Sequence, residues 1–234
     1  MDGSGMLALD SVLDDAEAYV NRGKAYADKG DLEQAIADYD RAIQLRPDMS
    51  DAYYNRGLAY FQCADPCISR WSGYFQKGDL DRAIADYDRV IVLNPAEAVV
   101  YYNRGLAYAA RGDYEQAIAD WDKAIQLKPD DAEAYNNRGV VYYKKGDLER
   151  AIDDWDRAID LDPDNAEAYY NRGVVYHRMG DLARAIGDYT RGNAYDQNGG
   201  LERAIADYRK VLEPSDDPAL VGETKKRLEE LGAR

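Results

Sequence analysis

Few residues in this chain of 234 have the chemistry of a reaction centre. His177 is the single histidine, with no second imidazole to share proton transfer. It reads as a groove or packing residue, since general acid–base work needs a positioned partner group. Cys63 and Cys67 are the two cysteines. They supply at most two ligands where structural zinc takes four, and a disulfide between them would be labile in a reducing cytosol. No metal, no cofactor and no catalytic residue are expected, and the chain reads as a non-enzyme. Carboxylates are abundant, 45 Asp and Glu against 30 Lys and Arg, but they recur at helical intervals and read as solvated faces. The resulting charge of −15 repels a phosphate backbone and argues against nucleic acid or an anionic membrane as partner. No apolar run approaches the roughly 18 residues that a membrane span needs. Residues 1–5 carry no basic group, so no secretory signal is expected and a cytoplasmic location is. What remains with binding chemistry is amides and phenols: asparagine at regular spacing, and 21 Tyr against 3 Trp and 2 Phe.

That spacing points to the elements that carry these side chains. Asn-Arg-Gly occurs at 21–23, 55–57, 103–105, 137–139 and 171–173, and its glycines are 34, 48, 34 and 34 residues apart. Gly-Asp followed by Leu or Tyr recurs at 30–32, 78–80, 112–114, 146–148 and 180–182, and Ala-Ile-x-Asp-aromatic or a close variant follows each. Each unit reads as two helices, here residues 16–29 and 32–45. Gly30 is placed to end the first helix in a left-handed conformation, and Asp31 to cap the second by accepting from its free N–H groups. Gln34, and Gln116 after Asp113, predict capping boxes. Pro47, Pro95, Pro129 and Pro163 follow the second helices and stop them. Gly23, Ala35 and Ala42 let the two helices approach closely. Tyr19, Tyr26, Leu32, Ile36 and Tyr39 fill around them. One hairpin buries one face only, so stability must come from stacking on neighbours.

These residues resemble the tetratricopeptide repeat (TPR) family, through Tyr19, Gly23, Tyr26, Ala35, Tyr39, Ala42 and Pro47 and their equivalents over about residues 16–212. The resemblance implies an all-α, right-handed superhelical solenoid of helix-turn-helix hairpins with a C-terminal capping helix. On that pattern residues 1–15 form an N-terminal segment or cap, and 16–49, 50–97, 98–131 and 132–165 form four units. Residues 166–200 form a fifth unit fused to a truncated one, and 201–234 a last hairpin with its capping helix. One departure is uniform. Where the family usually has leucine, this chain has Arg22, Arg56, Arg104, Arg138 and Arg172, and every unit also carries Asp38, Asp86, Asp120, Asp154 or Asp188. A lone buried charge is costly and pairing removes the cost, so a ladder of Arg–Asp pairs beside the core, linking one unit to the next, is predicted.

The resemblance also implies a concave groove lined by the first helices. Asn21, Asn55, Asn103, Asn137 and Asn171 would face it, and an amide can grip both N–H and C=O of an extended peptide. The alternative is that they solvate or orient the first helix. Tyr54, Tyr102 and Tyr170, with Val20 and Asn136 breaking the series, then Leu58, Leu106, Val140 and Val174, then Phe61, Tyr143 and His177, would form its floor. A chaperone carboxylate clamp needs lysine where this chain has Glu17, Asp51, Val99, Glu133 and Glu167, and is excluded. Those acids favour a ligand with Lys or Arg side chains, or serve only the helix N-termini. The function so implied is a non-catalytic protein–protein scaffold or adaptor. Two other readings stay open: a structural module self-associating weakly through array ends or the insertion, and an accessory part of a larger enzyme.

Residues 63–76 are an insertion of 14 between the two helices of the second unit. Within it Trp71, Tyr74 and Phe75 share a helical face. They read either as local packing or as an aromatic lip for a partner. Deleting 63–76 restores the 34-residue spacing between Gly57 and Gly105. The shortened chain is expected to fold, with a gain no larger than about 1 kcal/mol from the loop term. A thermal melt checks this; a loss of roughly 3 kcal/mol or more would mean that the aromatics are core.

Overall fold

A hairpin of two helices of about 14 residues needs the chain to reverse within a few residues, and the Gly-Asp pairs supply the turn. Gly30, Gly112, Gly146 and Gly180 have φ of +79°, +93°, +82° and +81°. At Gly30 the chain turns as the Gly30 N–H donates to Ala27 O and the Asp31 N–H to Tyr26 O, closing the first helix in the Schellman manner. The Asp31 carboxylate then accepts from the Gln34 N–H at 3.3 Å and starts the second helix. Asp147 does the same for Arg150, and Asp181 for Arg184. Asp113 departs from the expectation: it makes no side-chain cap, because Arg111 Nε donates to its carboxylate.

The computed structural model describes residues 4–63, 77–195, 222 and 225–226. Ten helices are described: α1 (Ser4–Asp28), α2 (Leu32–Leu45), α3 (Ser50–Cys63), α4 (Lys77–Leu93), α5 (Ala98–Arg111), α6 (Tyr114–Leu127), α7 (Ala132–Lys145), α8 (Leu148–Leu161), α9 (Ala166–Arg178) and α10 (Leu182–Tyr195). No strand occurs among the described residues. The fold is all-α, and consecutive helices pair into hairpins. The chain divides into two compact units, Met1–Pro129 and Asp130–Arg234. In the first, α1/α2, α3/α4 and α5/α6 are hairpins stacked in chain order; in the second, α7/α8 and α9/α10.

Two boundaries differ from the sequence reading. α1 begins at Ser4, whereas the sequence places the start of the first helix at residue 16. α4 begins at Lys77 and contains Gly78-Asp79, which the sequence marks as a turn. The insertion beyond Cys63, the aromatics Trp71, Tyr74 and Phe75, and the expected C-terminal capping helix lie outside the described residues.

Small residues set the distance between paired helices. Ala35, Ala42, Ala117, Ala124, Ala151 and Ala158 are fully buried. A Cβ added at Gly105 would sit 2.8 Å from Trp121 Nε1. The indole therefore lies flat against bare backbone, a placement that alanine would displace.

Beside this seam runs the predicted ladder. Arg56 Nε and Nη2 donate to Asp86 of the same hairpin at 2.8 and 2.6 Å, while Nη1 reaches Asp40 of the preceding hairpin at 2.5 Å. Arg104 repeats this with Asp120 at 2.7 and 2.6 Å and Asp88 at 2.5 Å. Arg172 does so with Asp188 at 2.8 and 2.7 Å and Asp156 at 2.5 Å. Arg22 grips Asp38 and Arg138 grips Asp154 in the same two-pronged way. Burial opposes the charge of Arg56, Arg104 and Arg172, yet hydrogen bonds and charge from their aspartates hold each guanidinium above its ordinary range. Burial also pushes Asp86 and Asp120 above the usual carboxylate value, against the pull of their arginines.

The two carboxylates of one arginine are unequal. The side chain of Asp120 is 8% exposed, that of Asp88 52%. Asp120→Ala leaves Arg104 half-paired in a dry setting and is expected to cost about 3 kcal/mol or more. Asp88→Ala is expected to cost about 1 kcal/mol or less. Urea unfolding of the two variants measures the difference, and equal losses would contradict this assignment.

Candidate first-helix binding face

The candidate face is the one on which the first helices carry their tyrosine and asparagine rows. Within the first unit α1, α3 and α5 stand side by side, and within the second α7 and α9 do. Residues three, four or seven apart on such a helix share a side, so the fifth, ninth and twelfth residues of each unit form one set of rows, and the sixth lies beside the ninth.

The aromatic row is half-buried and seated on the core. Tyr54 lies 6.2 Å from Tyr87 and Tyr170 lies 5.7 Å from Tyr189, centroid to centroid, with tilted rings. Tyr143 meets Trp155 at 6.3 Å. Each ring thus has one side packed and part of the other open. Burial pushes Tyr54 above its ordinary phenol value, although the hydrogen bond from Asn103 pulls it down, and the hydroxyl stays neutral. Tyr102, Leu58, Leu106, Val140, Val174, Phe61 and His177 are likewise half-buried. His177 lies in the last turn of α9.

The amide row is less uniform than its sequence. Asn21 is exposed, whereas Asn55, Asn103, Asn137 and Asn171 are half-buried. Asn55 Nδ2 donates to the backbone oxygen of Asp51 in its own helix at 2.6 Å. Asn103 Nδ2 donates to the Tyr54 hydroxyl at 3.0 Å, across from α5 to α3. These donors serve the helices themselves, which is the orienting role the sequence left open. Asn136, which interrupts the tyrosine row, is 4% exposed and its Oδ1 has no hydrogen-bond partner; neither has Asn171 Nδ2.

The acids at the start of the first helices are exposed: Glu17, Asp51, Glu133 and Glu167. Glu17 accepts from Arg46 at 2.9 Å. Val99 replaces an acid in α5 and is 47% exposed. Among the described residues, no group of three or more His, Cys, Asp or Glu is arranged to hold a metal ion, and no helix is long and apolar enough to cross a membrane. A cavity of about 640 Å³ opens elsewhere, against α8, α9 and α10. Its lining includes Asp156, Arg172, Arg184 and Asp188, charges that the ladder and the Arg184–Asp181 pair already neutralise.

Sequence reasoning singled out Asp38 and its equivalents but missed Asp40, Asp88 and Asp156, which make the links between hairpins. The recurring Asp-aromatic-Asp at 38–40, 86–88, 120–122 and 154–156 was the available signal.

Comparison with known proteins agrees with this geometry. A family model described as TPR repeat matches residues 23–62, 73–110, 107–146 and 141–180, and one described as Tetratricopeptide repeat matches 189–213. An uncharacterized protein of Methanocaldococcus jannaschii is 37% identical over 51 residues, 22% of this chain; the match spans 59% of that relative's length. Among solved structures, Pseudomonas aeruginosa PilF superposes with a TM-score of 0.70 at 18% identity, covering 96% of this chain and 93% of its own. MamA of Desulfovibrio magneticus gives 0.68 at 22%, covering 80% and 97%. YrrB, described as a TPR protein with an unusual peptide-binding site, gives 0.65 at 21%, covering 87% and 97%. At these identities the likeness is one of fold.

Proposed function

The chain belongs to the tetratricopeptide repeat family, and on that premise we propose that it is a non-catalytic adaptor that holds an extended, basic peptide along its first helices. TPR repeats are interaction modules, and the coarse assignment to protein–protein recognition follows from the family. The finer reading rests on one observation above all: half-buried aromatic rings alternate with amides on the first-helix face, beside exposed acids. Tyr54, Tyr102 and Tyr170 supply flat, partly open rings, and Leu58, Leu106, Val140 and Val174 supply apolar ground between them. Such a surface offers side-chain pockets at a fixed repeat. The acids Asp51 and Glu167 are exposed and complement Lys or Arg side chains of the ligand. They also disfavour a terminal carboxylate, and so a chaperone-type clamp. YrrB, with its peptide-binding site, supports the reading by analogy of fold. A cytoplasmic location belongs to the same proposal.

A second reading has its own observation. The bond from Asn103 to Tyr54 and that from Asn55 to Asp51 O give the amides a role in aligning first helices.

One variant separates the two. Asn55, Asn103 and Asn137 are changed to Ala together, and a fluorescein-labelled Ala-Lys-Ala-Lys-Ala-Lys-Ala peptide is titrated into the full chain. If the amides hold the peptide backbone, each loss costs about 0.5–1.5 kcal/mol of binding. If they only align helices, the melting temperature falls and affinity is unchanged, which would defeat the peptide-gripping reading.

Salt gives an independent check. Exposed charges are screened over about 8–10 Å at 0.1–0.15 M, so affinity for the same peptide is expected to fall as sodium chloride rises. A complex insensitive to salt would contradict a basic ligand.

A further inference from the structure

In the first unit, neighbouring first helices are joined by a tyrosine–asparagine pair: the Tyr54 hydroxyl on α3 accepts from Asn103 Nδ2 on α5 at 3.0 Å. Tyr54 is the fifth residue of its repeat and Asn103 the sixth of the next. In the second unit those two places, on α7 and α9, are held by Asn136 and Asn171. α7 and α9 pack on one another as α3 and α5 do. Asparagine is shorter than tyrosine by a ring and its hydroxyl, and it does not complete the pair. Two atoms are left over as a result. Asn136 Oδ1 and Asn171 Nδ2 are both buried and both lack a hydrogen-bond partner. Asn136 is only 4% exposed.

Buried polar atoms are nearly always satisfied, and each exception calls for an explanation. Here the leftovers are complementary: one acceptor and one donor, related by the repeat as the two ends of the same interaction. A hydroxyl has the chemistry for both, since it can accept from Asn171 Nδ2 and donate to Asn136 Oδ1. An ammonium or guanidinium offers no acceptor, and a carboxylate no donor.

We propose that Asn136 and Asn171 form a ligand subsite on the first-helix face that takes the side chain of a tyrosine from the bound peptide. The inference rests on the peptide reading above and adds a side-chain preference to it. Depth selects tyrosine among hydroxyl-bearing side chains. The orphaned acceptor sits on a residue that is almost wholly buried, and the phenol carries its hydroxyl furthest from the backbone. The repeat itself places a phenol at this spot between α3 and α5. In the second unit the partner would bring it.

The test uses the full chain and labelled peptides Ala-Lys-Ala-X-Ala-Lys-Ala with X as Tyr, Phe, Ser or Ala. Free p-cresol and toluene serve as minimal probes, followed by NMR of the Asn171 side-chain amide. The Tyr peptide is expected to bind roughly tenfold more tightly than the Phe peptide, the effect of one buried hydrogen-bonded hydroxyl. p-Cresol is expected to shift the Asn171 signals where toluene does not. Asn136→Tyr rebuilds the internal pair; it is expected to remove the Tyr-over-Phe difference and to melt no lower than the parent.

If all four peptides bind equally, the subsite is wrong while the peptide reading stands. A Ser peptide as tight as the Tyr peptide overturns the choice of tyrosine. Failure of every peptide, with p-cresol still shifting Asn171, supports the hydroxyl subsite and overturns the peptide reading. Failure of peptides and p-cresol alike overturns both. A rise in melting temperature for Asn136→Tyr with no ligand preference in the parent assigns the pair to internal packing alone and overturns the subsite.

Discussion

A guanidinium largely out of water, gripped by two carboxylates from successive hairpins, is the constraint around which the array is arranged. Arg56, Arg104 and Arg172 each close their own hairpin with two N–H donors and reach the previous hairpin with a third. Lysine would not serve, because a compact ammonium has no rigid fork with which to meet two separate acceptors. The gain in net stability from such pairs is modest, since desolvation offsets much of the attraction. Their larger effect is on register: a hairpin rotated or slid along its neighbour would strand a charge.

The rest of each hairpin conforms to that placement. Tyr53 and Tyr60 lie 5.6 and 5.9 Å from Arg56, and Tyr169 and Tyr176 lie 5.6 and 5.9 Å from Arg172, so each guanidinium is flanked by two rings of its own helix. That is one reason tyrosine so outnumbers the other aromatics: these sites need a flat ring with a wet edge. One residue beyond each arginine stands a glycine, where the second helix brings its aromatic against the backbone. The Asn-Arg-Gly triplet is therefore three adjacent jobs on one helical turn: an amide beside the neighbouring first helix, a lateral charge and an inward gap.

Much of this was legible in the sequence because it repeats. Period, hairpin boundaries, the left-handed Gly30 and the Arg–Asp pairing all follow from residues that recur with fixed spacing. What was not legible lies where a residue is used once. Asp113 looked like its counterparts at 31 and 147, but Arg111, present in one unit only, takes its carboxylate. Gly78-Asp79 matched the turn motif, yet both residues lie inside the first turn of α4. On the first-helix face the asparagine row was visible, but its individual bonds were not. Whether an amide points to its own backbone, as Asn55 does, or to a neighbour's phenol, as Asn103 does, depends on what stands opposite. The substitution of Asn136 for tyrosine was visible only as a break in a series.

The links between hairpins also have a direction in time. Every third donor points toward the N-terminus: Arg56 to Asp40, Arg104 to Asp88, Arg172 to Asp156. A hairpin emerging from the ribosome therefore finds its anchoring carboxylate already synthesised and already folded, and has no need to wait for a later one. At about 5–20 residues per second a 34-residue repeat emerges in roughly 2–7 s, long compared with helix formation. The array can thus grow by addition at one end, each repeat locking onto a finished surface. Where an acid would await the next arginine, α10 carries Thr190, whose hydroxyl turns back to Ile186 O at 2.7 Å. Among the described residues, the series of anchoring acids ends at that place.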